Sequence, residues 1–171
     1  MITGLAIAPH IGTPLHLVQL DERNPLAYRQ IVGGDPHALA WTVPSATMYI
    51  DEHAIADRLP ANLRATTLLW LHALPRLGQG TLAGPALLVG PPGPDGLDTD
   101  VPSSLVDLLM YTGAYRVVLQ TPDDPRWRVT ATTHEDWLDA YTVAVHTARR
   151  IGPAGAVSVV AADTVAEVWP L

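Results

Sequence analysis

Cysteine is missing from this sequence of 171 residues, and with it go disulfide frameworks, thiolate metal centres and cysteine nucleophiles. Lysine and phenylalanine are missing too, so every basic side chain is one of ten arginines. These are scattered, with only Arg149 and Arg150 adjacent, against a net charge of −7. A nucleic-acid binder needs a basic stripe to displace counterions from phosphates, so direct DNA or RNA binding is not expected. No G-x-G-x-x-G or G-x-x-x-x-G-K-[ST] pattern occurs. Long apolar runs are missing as well. The most apolar stretch, Ala65 to Leu74, falls well short of the roughly 20 residues a membrane helix needs, and MITGLAIAP carries no basic leader. A cytoplasmic protein without membrane association is the expectation.

What is present is enough apolar material, 48% of residues, to offset the chain entropy of folding. Residues 2–8 and 15–20 read as strands separated by Pro9, Gly12 and Pro14. Asn24-Pro25 starts a helix that ends at Gly33-Gly34. HALAWTV (37–43) and ATMYI (46–50) form a hairpin with Pro44 outside the ladder. Asn62 caps a helix running to Pro75, whose leucines go nearly all the way round, as in a helix buried on several sides or at a subunit interface of a homo-oligomer. On the cap alone, Asn62→Ala should cost about 1 kcal/mol. LAGPALLVG (82–90) is an apolar strand in which Pro85 points to a bulge or an edge.

PPGPDGLDTD then reads as a stiff, solvated acidic loop with Asp95, Asp98 and Asp100. Ser104 to Asp107 resembles a capping box for a helix closed by Gly113. YRVVLQT and WRVTATT flank Pro-Asp-Asp-Pro as a hairpin. A strongly amphipathic helix follows Thr133, with Glu135 and Asp136 in its first turn and Arg149 and Arg150 in its last. AVSVVAA (156–162) reads as a buried strand and TVAEVW (164–169) as an edge strand. The fold class is α+β: one domain, 1–171, with about four helices and mixed, mostly antiparallel sheets. Its two β-rich halves, 1–90 and 101–171, are joined by the Pro/Gly loop 91–100.

The candidate catalytic residues are Asp51, Glu52 and His53, where a strand ends, with His37 or His134 as a remote partner. Imidazole and carboxylate oxygen suit Zn²⁺ or Mn²⁺, but the H-E-x-x-H spacing is absent, so no metal or cofactor is expected. The alternative for Asp51 or Glu52 is structural, accepting backbone N–H groups of the following turn. Candidate ligand contacts are Gly33, Gly34, Trp41 and Asn62, with Trp70 as a second ring for stacking. His72 reads as a hydrogen-bonded core histidine, and His146 as a solvated one.

Ile31-Val32-Gly33-Gly34, Asp51-Glu52, Asn62 with Ala65-Thr66, and Gly84 through Leu87-Leu88-Val89-Gly90 together resemble an uncharacterised small domain family of actinobacteria and their phages. The resemblance covers the middle third of the chain and departs at Asp51, where the family more often has Asn. It implies a cytosolic accessory protein of the kind carried on mobile elements, and no activity. A non-catalytic binding or regulatory protein, with a protein or small molecule as partner, is the leading expectation. The alternatives are a small metal-assisted hydrolase and a binder of small ligands such as nucleotide derivatives.

Overall fold

The computed structural model describes residues 1–167, 169 and 170. Val168 lies outside the described residues, within the stretch 164–169 expected to be an edge strand, as does Leu171.

Five strands form the first sheet: β1 (Ile2–Ile7), β2 (His16–Leu20), β3 (Pro36–Thr42), β4 (Ser45–Asp51) and β5 (Ala86–Val89). Their order is β2-β1-β5-β4-β3 and every pairing is antiparallel. β5 lies at the centre and is buried along its whole length, which is why it reads as an unbroken apolar run rather than an alternating one. Pro85 sits just ahead of the ladder, so the expected bulge or edge is replaced by a central strand with its proline outside the hydrogen-bonded registers. In β3 only Leu39 and Trp41 are buried, at the two-residue spacing of a strand with one wet face.

Helix α1 (Pro25–Val32) covers one face of this sheet. The Asn24 side chain accepts from the Leu26 N–H at 3.1 Å, and Gly33 ends the helix with φ 86°, a conformation that glycine adopts without a Cβ penalty. Tyr28 and Val32 meet Ile2, Leu20, Leu87 and Val89 in a small separate core.

The opposite face carries the main core. Helix α2 (Leu63–His72) sends Leu68, Leu69 and Leu71 into it, each burial stabilising by about 2 kcal/mol. Helix α4 (Trp137–Ile151) packs on α2 with Trp137, Ala140, Tyr141, Ala144, Val145 and Ala148. Asp136 is its N-cap, accepting from Leu138 N–H at 2.7 Å and Asp139 N–H at 3.2 Å, rather than a first-turn residue, because the preceding strand extends through His134. α4 in turn rests on a second sheet, in which β6 (Tyr115–Thr121) pairs antiparallel with both β7 (Asp124–His134) and β8 (Ala156–Ala161), and a short fourth strand adds to the β7 edge. β8 is an edge strand and mostly half-buried, not the buried strand expected from its composition.

Three further expectations are corrected. Helix α3 (Ser103–Val106) begins after Pro102 with no side-chain cap and widens into a π-helical turn over Asp107–Tyr111, so the Ser104/Asp107 box does not form. Residues Ala162–Glu167 make 3₁₀ turns, and only the short β9 (Trp169–Pro170) is extended, running parallel to β7. The loop 91–100 is not simply solvated: Asp100 accepts from the Thr3 N–H at 2.6 Å, and Asp98 is buried.

His72 joins the layers. Its ring stacks on Trp41 of β3, with centroids 4.7 Å apart, and lies 5.5 Å from the ring of Tyr141 on α4. The Val43 carbonyl can only accept, so Nδ1–H donates to it at 2.8 Å and Nε2 accepts from the Tyr141 hydroxyl at 3.0 Å. Burial pushes the ring down to about 4, so it is neutral at physiological pH. This is the core histidine that the apolar helix around it suggested.

Candidate functional site

Asp51 ends β4 and is 4% exposed. One carboxylate oxygen, Oδ1, accepts from the backbone N–H of Asp35 and of His53, both at 3.1 Å. Gly34 lies directly against the carboxyl group, where a Cβ would come within 2.3 Å of it. Gly33-Gly34 and Asp51 are thus two halves of one structural unit: the glycine makes room for the carboxylate, and the carboxylate ties the helix-end turn to the strand end. Glu52 and His53 are exposed, and the Glu52 N–H completes the unit by donating to the Asp35 carbonyl at 2.9 Å. His53 Nδ1 stands 3.9 Å from the Asp35 carboxylate, which Arg29 also engages. His37 is exposed on edge strand β3, and His134 ends β7 in the second sheet, paired with Tyr115. Among the described residues, no three His, Asp or Glu are grouped so as to hold a metal ion.

Asn62 is fully buried and every polar group of its side chain is used by the protein. Its Oδ1 accepts from Ala65 N–H at 3.0 Å, while Nδ2 donates to the carbonyls of Ile7 and Gly84, both at 2.9 Å. The cap therefore also clamps β1 to the segment entering β5. Thr66 extends the clamp, its hydroxyl donating to the Asn62 carbonyl and accepting from the Leu82 N–H. Trp41 is buried in the core against His72, and Trp70 lies under the Arg149 guanidinium at 4.9 Å.

A different group of residues forms a cleft. On the α1 face of the sheet, Glu22, Tyr28, Tyr49 and Asp98 line a space of about 360 Å³ together with Pro25, Pro36 and Pro92. The sequence dictates each position locally. Tyr28 is on the inward stripe of α1, Tyr49 points to the same side because it alternates with Met48 and Ile50 on β4, and the tight turn Gly93–Gly96 folds the loop back. The loop delivers Asp98 with only 9% exposure, and the Tyr28 hydroxyl donates to its Oδ2 at 2.8 Å. The two phenol rings meet edge to face at 4.8 Å. Burial first, and the neighbouring Asp98 carboxylate second, hold both phenols well above the usual tyrosine range, so they remain protonated. None of the ion pairs among the described residues neutralises Asp98, while Glu22 pairs with the amino group of Met1.

Sequence reasoning placed Tyr28 in a helix and Asp98 in an acidic loop but did not connect them. Seventy positions separate the two. The one local signal was an acidic residue held between the Gly93–Gly96 turn and the start of helix α3.

The cleft places two phenols and a buried carboxylate around one space, on an α+β scaffold of two mainly antiparallel sheets. The chain belongs to the family described as domain of unknown function DUF3846, which matches residues 2–115. The match takes in the whole first sheet, the cleft and Pro91 to Tyr115, a segment that the sequence resemblance had left without a counterpart. No curated protein and no solved structure matches the chain.

Proposed function

We propose that this protein is a non-catalytic binding protein whose Tyr28–Tyr49–Asp98 cleft takes a cationic group, an ammonium or guanidinium, carried by a small molecule or a partner's side chain. The observation that carries this reading is the buried Asp98 carboxylate, which accepts from the Tyr28 phenol and is not offset by a cation in any ion pair among the described residues. A buried charge is expensive unless paired, and a cation entering the cleft supplies the pairing. The electron-rich tyrosine faces beside it favour the same sign of ligand.

Catalysis draws no support from the cleft: phenols held above their usual range neither abstract protons nor attack at neutral pH. The net charge of −7 favours cationic partners generally and disfavours nucleic acid.

The test is calorimetric titration with agmatine, spermidine and arginine, against the neutral analogue N-butylacetamide, on the wild type and on Asp98→Asn. The expected result is saturable binding of at least one cation by the wild type and loss of about tenfold or more in Asp98→Asn, with the melting curve kept. Equal binding of cation and neutral analogue, or no binding of any cation, overturns the reading.

A further inference from the structure

Arg64 lies outside that cleft, on the main-core side of the first sheet. It is 5% exposed, and its guanidinium donates to three carbonyls of the β1–β2 loop: Thr13 at 2.8 Å, Ala8 at 2.6 Å and His10 at 3.0 Å. These bonds pin the loop to α2. They use dipoles only, since none of the ion pairs among the described residues includes Arg64. Its Nε–H is buried without a hydrogen-bond acceptor among the described residues. Burial weakens the charged form, and the Asp136 carboxylate opposes that from a distance while itself capping α4. At close range the charge is therefore met by carbonyl dipoles alone, an arrangement that an anion joining it would relieve.

The same arginine lines a recess of about 250 Å³ whose other walls are Pro14, Leu15, Leu109, Met110 and Trp137. One cationic side chain among apolar and indole surfaces is the layout of a site for a small amphipathic anion. The charged head meets the guanidinium, and the hydrocarbon body meets the indole and the thioether. We infer that this recess binds a small carboxylate with an apolar or aromatic body. It joins the β1–β2 loop, α2, the π-helical turn and α4, so its occupation would tie the DUF3846 segment to the helix that follows it.

The experiment follows the Trp137 indole signal by NMR while benzoate is added, with benzamide as the neutral isostere. The expected result is a saturable shift at about 10 mM or below for benzoate, at least about tenfold weaker for benzamide, and absent in Met110→Trp, which fills the recess. Arg64 is not the variant of choice, because removing it frees three backbone carbonyls and endangers the fold. Should Met110→Trp fail to fold, Leu15→Trp serves, and the benzoate-to-benzamide ratio in the wild type decides by itself. Equal shifts from both probes, no saturation, or a shift that survives filling the recess overturns the inference. Asp98→Asn leaves benzoate binding unchanged, which separates this result from that of the cation cleft.

Discussion

The turn at Asp51 and the cleft at Asp98 each bury a carboxylate almost completely on one side of the same sheet, at 4% and 9% exposure, yet they are built for different ends. Asp51 is met by two backbone N–H groups and packed against Gly34, so its charge is spent on holding the chain in place. Asp98 is met by one side-chain hydroxyl, that of Tyr28, at the wall of an open space. The contrast teaches that burial of an acid is not by itself a sign of function. What matters is whether its partners are main-chain groups that the fold needs or side chains that leave a face of the carboxylate toward a cavity.

Breaking the first region should have the largest effect. In Gly34→Ala the new methyl would collide with the Asp51 carboxyl, adding overpacking to the loss of two hydrogen bonds, for a cost of about 4 kcal/mol in urea melts. Asn62→Ala belongs to the same class of saturated polar groups. The cap accounts for about 1 kcal/mol, and stranding the Ile7 and Gly84 carbonyls brings the expected loss to about 3 kcal/mol by chemical denaturation.

His72 offers a gentler probe, through pH. Its native value is depressed from 6.5 to about 4, so between those values the unfolded chain binds a proton that the native ring refuses. Stability contributed by the neutral ring is complete above about pH 6.5 and is lost as pH falls through 4, by roughly 3 kcal/mol. Melts of His72→Gln should be flatter than wild type across that window, and a parallel pair of curves would show that His72 is not the titrating group.

The smallest stability effect is expected at Asp98. Asp98→Asn keeps the shape and an acceptor for Tyr28, so unfolding should shift by about 1 kcal/mol or less while the response to cations disappears. A stability loss as large as that of Gly34→Ala would erase the distinction between the two regions and make Asp98 a second structural acid.

The sequence by itself determined the local pieces of this protein. Asn24 and Asn62 as caps, Gly33 as a helix end, the 37–50 hairpin and the stripe of α4 are all decided by interactions within a few residues, such as a side chain reaching its own next turn or a period matching a face. Even the structural alternative for Asp51 was legible, because an acid before a turn finds its acceptor role nearby. Tertiary structure alone decided the strand order that puts β5 in the middle and Pro85 outside the ladder, the return of the acidic loop that brings Asp98 to Tyr28, and the grip of Arg64 on the β1–β2 loop. It also turned Asn62 from a cap into a clamp. These contacts span 22 to 70 positions, and no short-range pattern encodes them: a carboxylate written between Gly and Pro residues looks solvated until the chain that covers it is in place.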